Sequence, residues 1–100
     1  MDKHTQVLDY IAEQFGVEKN YYNNKSRFKK YMMPRKMACW VLYAAGGIKM
    51  SEVADIMGYA EHTTVHHHVH DYWNMCRSDD DFKAMGEHIY SKSIEIYEAN

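Results

Sequence analysis

The sequence predicts an all-α fold, a small domain of about five or six helices containing a helix-turn-helix. Three observations point there. One proline and five glycines in 100 residues leave few places where a helix must break. Apolar residues recur at three- and four-residue spacing in segment after segment. Two short helical patterns also flank Gly58. The second opens with Glu61-His62-Thr63-Thr64-Val65, the arrangement by which a helix-turn-helix offers a recognition helix to a DNA groove.

Taken in order, Val7, Leu8, Ile11, Ala12 and Phe15 share one helical face, and Gly16 stops the helix they define, about 4–15. The stretch from Val17 to Met33 is polar, basic and aromatic. It predicts a short helical turn near residues 18–22 and then a loop. Pro34 suits the first position of the next helix, where its missing N–H costs nothing. Met37, Ala38, Val41, Leu42 and Ala45 then form a stripe that Gly46-Gly47 ends. Ser51 is placed to cap the following helix, with Glu52 in its first turn and Val53, Ile56 and Met57 facing inward. After the Gly58 turn a helix is expected over about 62–76. Val65, Val69, Tyr72 and Cys76 line up on its core side at 100° per residue. Thr63, His67, His70 and Asn74 fall opposite, with Thr64 and His66 at the edges. Ser78 with Asp81 resembles a capping box for a last helix of about 79–98, buried through Phe82, Met85, Ile89 and Ile96.

Length and patterning predict one domain over residues 1–100, with the helix-turn-helix at about 51–76. With 46% hydrophobic residues, a chain this long fills one modest core. No apolar run of about 18 residues and no leader-like segment follows Met1, so a cytoplasmic protein without membrane contact is expected. Cys39 and Cys76 lie on apolar helix faces and read as buried thiols rather than a bridge. The net charge of −2 conceals an asymmetry: Lys19 to Ser51 holds no acid and carries +8, whereas Glu52 to Asn100 carries −7. A basic block of this kind can hold phosphates although the whole chain is slightly acidic.

The chemistry concentrates at the start of the 62–76 helix. A groove reader needs small hydrogen-bonding residues there, because bulky ones hold the helix off the bases. Thr63 and Thr64 bring hydroxyls, and methyls that can meet a thymine methyl; His62 can donate to a phosphate or a base acceptor. His66, His67 and His70 are expected as donors facing phosphate, with tighter binding at pH 6 than at pH 8 because nearby anions favour their protonation. His62, His66 and His70 form an i, i+4, i+8 strip, but no Cys or carboxylate completes a ligand set, so no metal and no cofactor are expected. His68 falls nearer the core and reads as a packed histidine. Tyr21, Tyr22, Phe28 and Tyr31 read as aromatics packing the loop onto the core rather than as base-stacking platforms. Trp40 and Trp73 read as core or core-edge residues.

These motifs resemble the C-terminal DNA-binding domain of the bacterial replication initiator DnaA, a Trp-repressor-like helix-turn-helix. The resemblance runs over about residues 7–98. It rests on Ile11-Ala12-Glu13, the basic loop from Ser26 to Lys30, Pro34-Arg35-Lys36-Met37-Ala38, Glu52 to Gly58, and His62-Thr63-Thr64-Val65 with His67 beyond. It implies binding of double-stranded DNA. No paired carboxylates with a nucleophile or metal cage can be named in the sequence, so no enzyme is expected. Lys29, with Arg27 beside it, takes the minor-groove place, and Lys30 belongs to the same loop. Arg35 and Lys36 take the backbone-clamp places. Glu61, His62, Thr63 and Thr64 take the reading places.

The sequence departs from the family pattern at several of these positions. Met33 stands where the family has arginine, Tyr59-Ala60-Glu61 replaces Gly-Arg-Asp, Lys29 replaces arginine, and His70-Asp71 replaces Arg-Lys. Asp71 would repel phosphate. No G-x-x-x-x-G-K-[ST] loop is present, so a free-standing DNA-binding regulator of replication or transcription is expected rather than an ATP-driven initiator. No small-molecule substrate is implied. The alternative reading is a protein-interaction module using its acidic C-terminal surface, and the choice between monomer and homodimer stays open.

Overall fold

The computed structural model describes residues 2–24 and 26–99; Lys25 of the basic block lies outside them. The elements are α1 (Lys3–Phe15), a 3₁₀ turn (Lys19–Tyr22), α2 (Lys29–Ala44), α3 (Met50–Met57), α4 (Thr63–Ser78) and α5 (Asp80–Glu98), with no strand among the described residues. The all-helical expectation therefore holds.

The middle of α2 is the axis of the core. Met37, Ala38, Cys39, Trp40, Val41 and Leu42 are all buried in succession, so α2 is covered on every side along this stretch. Continuous burial explains why its apolar pattern is weakly one-sided: a helix wrapped by neighbours needs no polar stripe. Against it pack α1 through Val7, Leu8, Ile11 and Ala12, α3 through Val53, Ala54 and Met57, and α4 through Val65, Val69 and Tyr72. The Trp40 and Tyr72 rings stack at 4.1 Å and 8°, joining α2 to α4. Burying two aromatic faces against each other stabilises by about 1 kcal/mol beyond the area removed from water. Trp40 is core and Trp73 lies at its half-exposed edge, as their helix positions suggest. Cys39 and Cys76 are both buried as free thiols, and burial pushes the Cys39 thiol up to about 12.

α5 closes the fold by lying along α1. His4 Nδ1 meets Tyr97 Oη at 2.8 Å, Tyr10 Oη meets His88 Nε2 at 2.7 Å, and Lys3 donates to the Tyr97 carbonyl at 2.9 Å. Phe82 and Ile89 are buried as expected, Met85 and Ile96 half-buried, and Gly86 and Ser93 share the inward face.

Three helix starts differ from the sequence reading. α2 begins at Lys29, so Pro34 lies inside the helix rather than at its first position. The proline removes the N–H that would reach the Lys30 carbonyl, a cost that burial of Pro34 and the anchoring of Arg35 offset. α3 begins at Met50 after Lys49, with no side-chain cap, and Ser51 is exposed inside its first turn. Half-buried Ile48 and Met50 dock the chain on the core and set the entry, in place of a polar cap. α5 is capped by Asp79, whose carboxylate accepts from Phe82 N at 3.0 Å. Ser78 still belongs to α4, so its hydroxyl turns back to the Asn74 and Met75 carbonyls and cannot build the expected box.

Candidate nucleic-acid interface

The turn between α3 and α4 follows from Gly58. Its φ of 77° is left-handed, which a side chain resists, and its N–H closes α3 onto the Ala54 and Asp55 carbonyls. Tyr59 through His62 then lead into α4. The expected period is realised there: Val65, Val69, Tyr72 and Cys76 are buried, and Thr63, His66, His67, His70 and Asn74 are exposed. Thr64 is half-buried at the edge. Glu61 and His62 are exposed ahead of the helix, and the Thr63 hydroxyl donates to Glu61 Oε2 at 3.2 Å. The His62 and His66 rings lie edge to face at 5.7 Å, one turn apart. Among the described residues no three His, Cys, Asp or Glu side chains gather as metal ligands do.

His68 joins the buried face, 7% exposed, as expected of a packed histidine. Burial pushes its pKa down to about 4, and the Lys36 charge adds to this. Its Nδ1 is buried without a hydrogen-bond partner.

The basic segment divides into free and engaged cations. Arg27, Lys29 and Lys30 are exposed, with Lys30 Nζ 4.8 Å above the Tyr31 ring. Arg35, expected as a backbone clamp, is 6% exposed. Its guanidinium donates through Nε to the Tyr21 carbonyl at 2.7 Å and through Nη1 to the Ser26 carbonyl at 2.6 Å. Through Nη2 it reaches both the carbonyl and side-chain oxygens of Asn24 at 2.6 Å. Met32 Sδ takes the remaining donor at 3.4 Å. A guanidinium has five N–H groups, and all are engaged, so none is left for a phosphate. Arg35 instead ties Tyr21, Asn24 and Ser26 to α2. Lys36 is half-buried and pairs with Asp71 of α4 at 3.7 Å. The sequence reading missed both arrangements because each joins residues brought together only by tertiary packing.

The aromatics sort in a similar way. Tyr21 is buried and donates to the Leu8 carbonyl at 3.1 Å, Tyr22 is half-buried, and the Tyr31 hydroxyl donates to Glu18 at 3.0 Å. These three pack the segment onto the core, as expected. Phe28 does not: it is 72% exposed.

Arg27 of the basic segment and Thr64 at the start of α4 meet. Arg27, Met32, Arg35, Tyr59, Thr64 and His68 line one cleft of about 390 Å³. A second hollow of about 280 Å³ runs from Ser51 and Asp55 past Glu61 to Thr63. The first hollow thus brings the exposed Arg27 against the Thr64 edge of α4, and the second brings Glu61, His62 and Thr63 against α3.

A family model described as the bacterial dnaA protein helix-turn-helix matches residues 4–71, from α1 into α4. The chromosomal replication initiator protein DnaA of Citrifermentans bemidjiense is 27% identical over 82 residues, covering 82% of this chain and 18% of that protein. The protein of the same name from a Geobacter species gives the same figures. The chain thus spans under a fifth of the length of these relatives. The crystal structure of a DNA replication initiation factor superposes with a TM-score of 0.84 over 94% of this chain and 29% of its own, at 20% identity. At that identity the likeness speaks for the fold.

Proposed function

Because the chain belongs to the bacterial DnaA helix-turn-helix family, we propose that it binds double-stranded DNA sequence-selectively and regulates replication or transcription by occupying its site. One observation carries this reading: Arg27 of the basic segment and Thr64 of α4 line the same cleft. A groove-reading helix and a backbone-holding loop must face one duplex together.

In this reading the start of α4 enters the major groove. Thr63 and Thr64 offer hydroxyls and methyls to base edges. Glu61 orients Thr63 through their hydrogen bond and can accept from a cytosine amine. His62, His66, His67 and His70 run along the phosphates. Arg27, Lys29 and Lys30 hold the backbone and reach the adjacent minor groove. Lys36 joins them only by leaving Asp71, and Arg35 acts by shaping the loop. The work is done as a bound module, with DNA as the partner and no chemistry on it.

Selection from a random duplex pool, followed by gel shifts across a salt series, tests the reading. With roughly five neutralised phosphates, log affinity falls with log salt at a slope of about −4 to −5. Thr63→Ala relaxes base preference by about 1–3 kcal/mol at one position. A flat salt response or an unenriched pool sinks the reading. Absence of retention at low salt favours instead a protein-partner module using the acidic α5 face.

A further inference from the structure

We propose that Phe28 is a wedge that presses into the base stack of bound duplex DNA from the minor-groove side and bends it. The proposal rests on the DNA-binding reading above and adds to it a residue and a deformation.

Phe28 is the exception in its segment. Tyr21, Tyr22 and Tyr31 all turn toward the core or pair with a neighbour, whereas the Phe28 ring is 72% exposed. Its backbone, by contrast, is fixed on both sides. The Phe28 N–H donates to Ser26 Oγ at 3.3 Å. Its carbonyl accepts from Tyr31 N at 2.9 Å and Met32 N at 3.1 Å, starting α2. Arg35 anchors the preceding turn through the Ser26 and Asn24 carbonyls. An apolar ring is therefore held out on a firm mount.

Charge selects what covers it. Arg27, Lys29 and Lys30 are exposed immediately around Phe28, and no acid occurs from Lys19 to Ser51. A covering surface must be strongly anionic at its rim and able to take an apolar group within, which describes a nucleic-acid groove with its base steps. The form is duplex, because Arg27, next in sequence, lines one cleft with Thr64 of the groove-reading helix. Phenylalanine has no hydrogen-bonding atom to offer a groove edge, so its burial is recovered by apolar contact with a base step. Proteins that wedge apolar side chains between steps from the minor groove unstack them and kink the duplex. Flexible pyrimidine–purine steps deform most readily and are the expected place of insertion.

The test uses the full chain on a duplex obtained by selection. Wild type, Phe28→Ala, Phe28→Leu and the control Tyr43→Ala, an exposed aromatic near the other end of α2, are compared. Readouts are gel-shift affinity, bend angle by end-to-end energy transfer, and fluorescence of 2-aminopurine placed along the site. Wild type and Tyr43→Ala are expected to bend the duplex and brighten one 2-aminopurine position. Phe28→Ala is expected to lose about tenfold in affinity together with the bend and the brightening, at an unchanged melting temperature. Phe28→Leu, still an apolar wedge, retains most of the bend. Equal bending and equal fluorescence for wild type and Phe28→Ala overturn the proposal even where both bind. Phe28-dependent self-association without DNA, read by sedimentation, overturns it in favour of an interface between copies. A wild type that retains no duplex at low salt overturns the DNA-binding reading itself, and the wedge with it.

Discussion

On α4 a single helical period sorts the side chains: Thr63, His66, His67 and His70 are exposed, and Val65, Val69 and Tyr72 turn inward. In the basic segment no period sorts the charges. Arg27, Lys29 and Lys30 stand in solvent, Arg35 is buried under the preceding loop, and Lys36 leans on Asp71. The two regions teach different lessons about sequence and site. On a regular helix with one covered face, position follows from spacing alone. In an irregular segment it depends on which backbone carbonyls lack partners, and the carbonyls of Tyr21, Asn24 and Ser26 claim the arginine that can reach all of them.

The largest effect that can break this contrast is at Arg35. Arg35→Ala removes the donors of several inward-facing carbonyls at once and is expected to destabilise the fold by about 3–5 kcal/mol. Urea denaturation reads it. Arg35→Lys rescues little, since one ammonium cannot reproduce a planar fork. A variant with unchanged stability but weakened DNA binding would return Arg35 to the phosphate-clamp role and erase the distinction between the two regions.

Much of the fold was legible for the same reason that α4 was. The core faces of α1 and α4, the Gly58 turn and a count of about five or six helices follow from periodicity and glycine placement. The starts of α2, α3 and α5 were not legible, because caps are local preferences that packing overrides. Buried Pro34 sits in mid-helix, Ser51 yields to Ile48 and Met50, and Ser78 is kept by α4 while Asp79 caps. Of the candidate site, the exposed face of α4 and the exposure of Arg27, Lys29 and Lys30 were readable, and the engagement of Arg35 and Lys36 was not. The Arg35 clamp and the Lys36–Asp71 pair join positions 9 to 35 residues apart.

The histidines of α4 sharpen the comparison by pH. His68 has a folded value near 4, below the ordinary 6.5. As pH falls through that window the unfolded chain takes up the proton first, so the folded state loses stability. His68 thus contributes stability that is full above about pH 6.5 and drains away by about 3 kcal/mol toward pH 4. Denaturation midpoints for wild type and His68→Leu, taken from pH 7 to pH 4, should diverge in wild type's disfavour. A parallel pair of curves would mean His68 is not held neutral. The exposed His66, His67 and His70, proposed to meet phosphate, are expected to act the other way on a different quantity. Protonation beside phosphates is expected to strengthen DNA binding by about threefold from pH 8 to pH 6. Replacing all three by glutamine should flatten that binding profile and leave the acid unfolding in place.

The smallest expected effect lies where the two regions touch. Asp71 stands one turn beyond His67 on α4, the helix proposed to meet DNA, and its carboxylate holds Lys36 of α2. Both side chains keep contact with solvent, so the pair contributes only about 0.5 kcal/mol to stability. Its bearing on binding is larger than its bearing on folding, because a bound phosphate must compete with Asp71 for Lys36 while being repelled by Asp71 itself. Asp71→Asn removes the repulsion and frees the cation in one change. The expected result is affinity raised by about three- to tenfold, a salt slope steeper by about one, and a melting temperature within a degree or two of wild type. Lys36→Ala in the Asp71→Asn background should cancel the gain, and in wild type it should matter little. If Lys36→Ala weakens binding as strongly in wild type as in Asp71→Asn, Lys36 already reaches the backbone, and its engagement with Asp71 is no restraint.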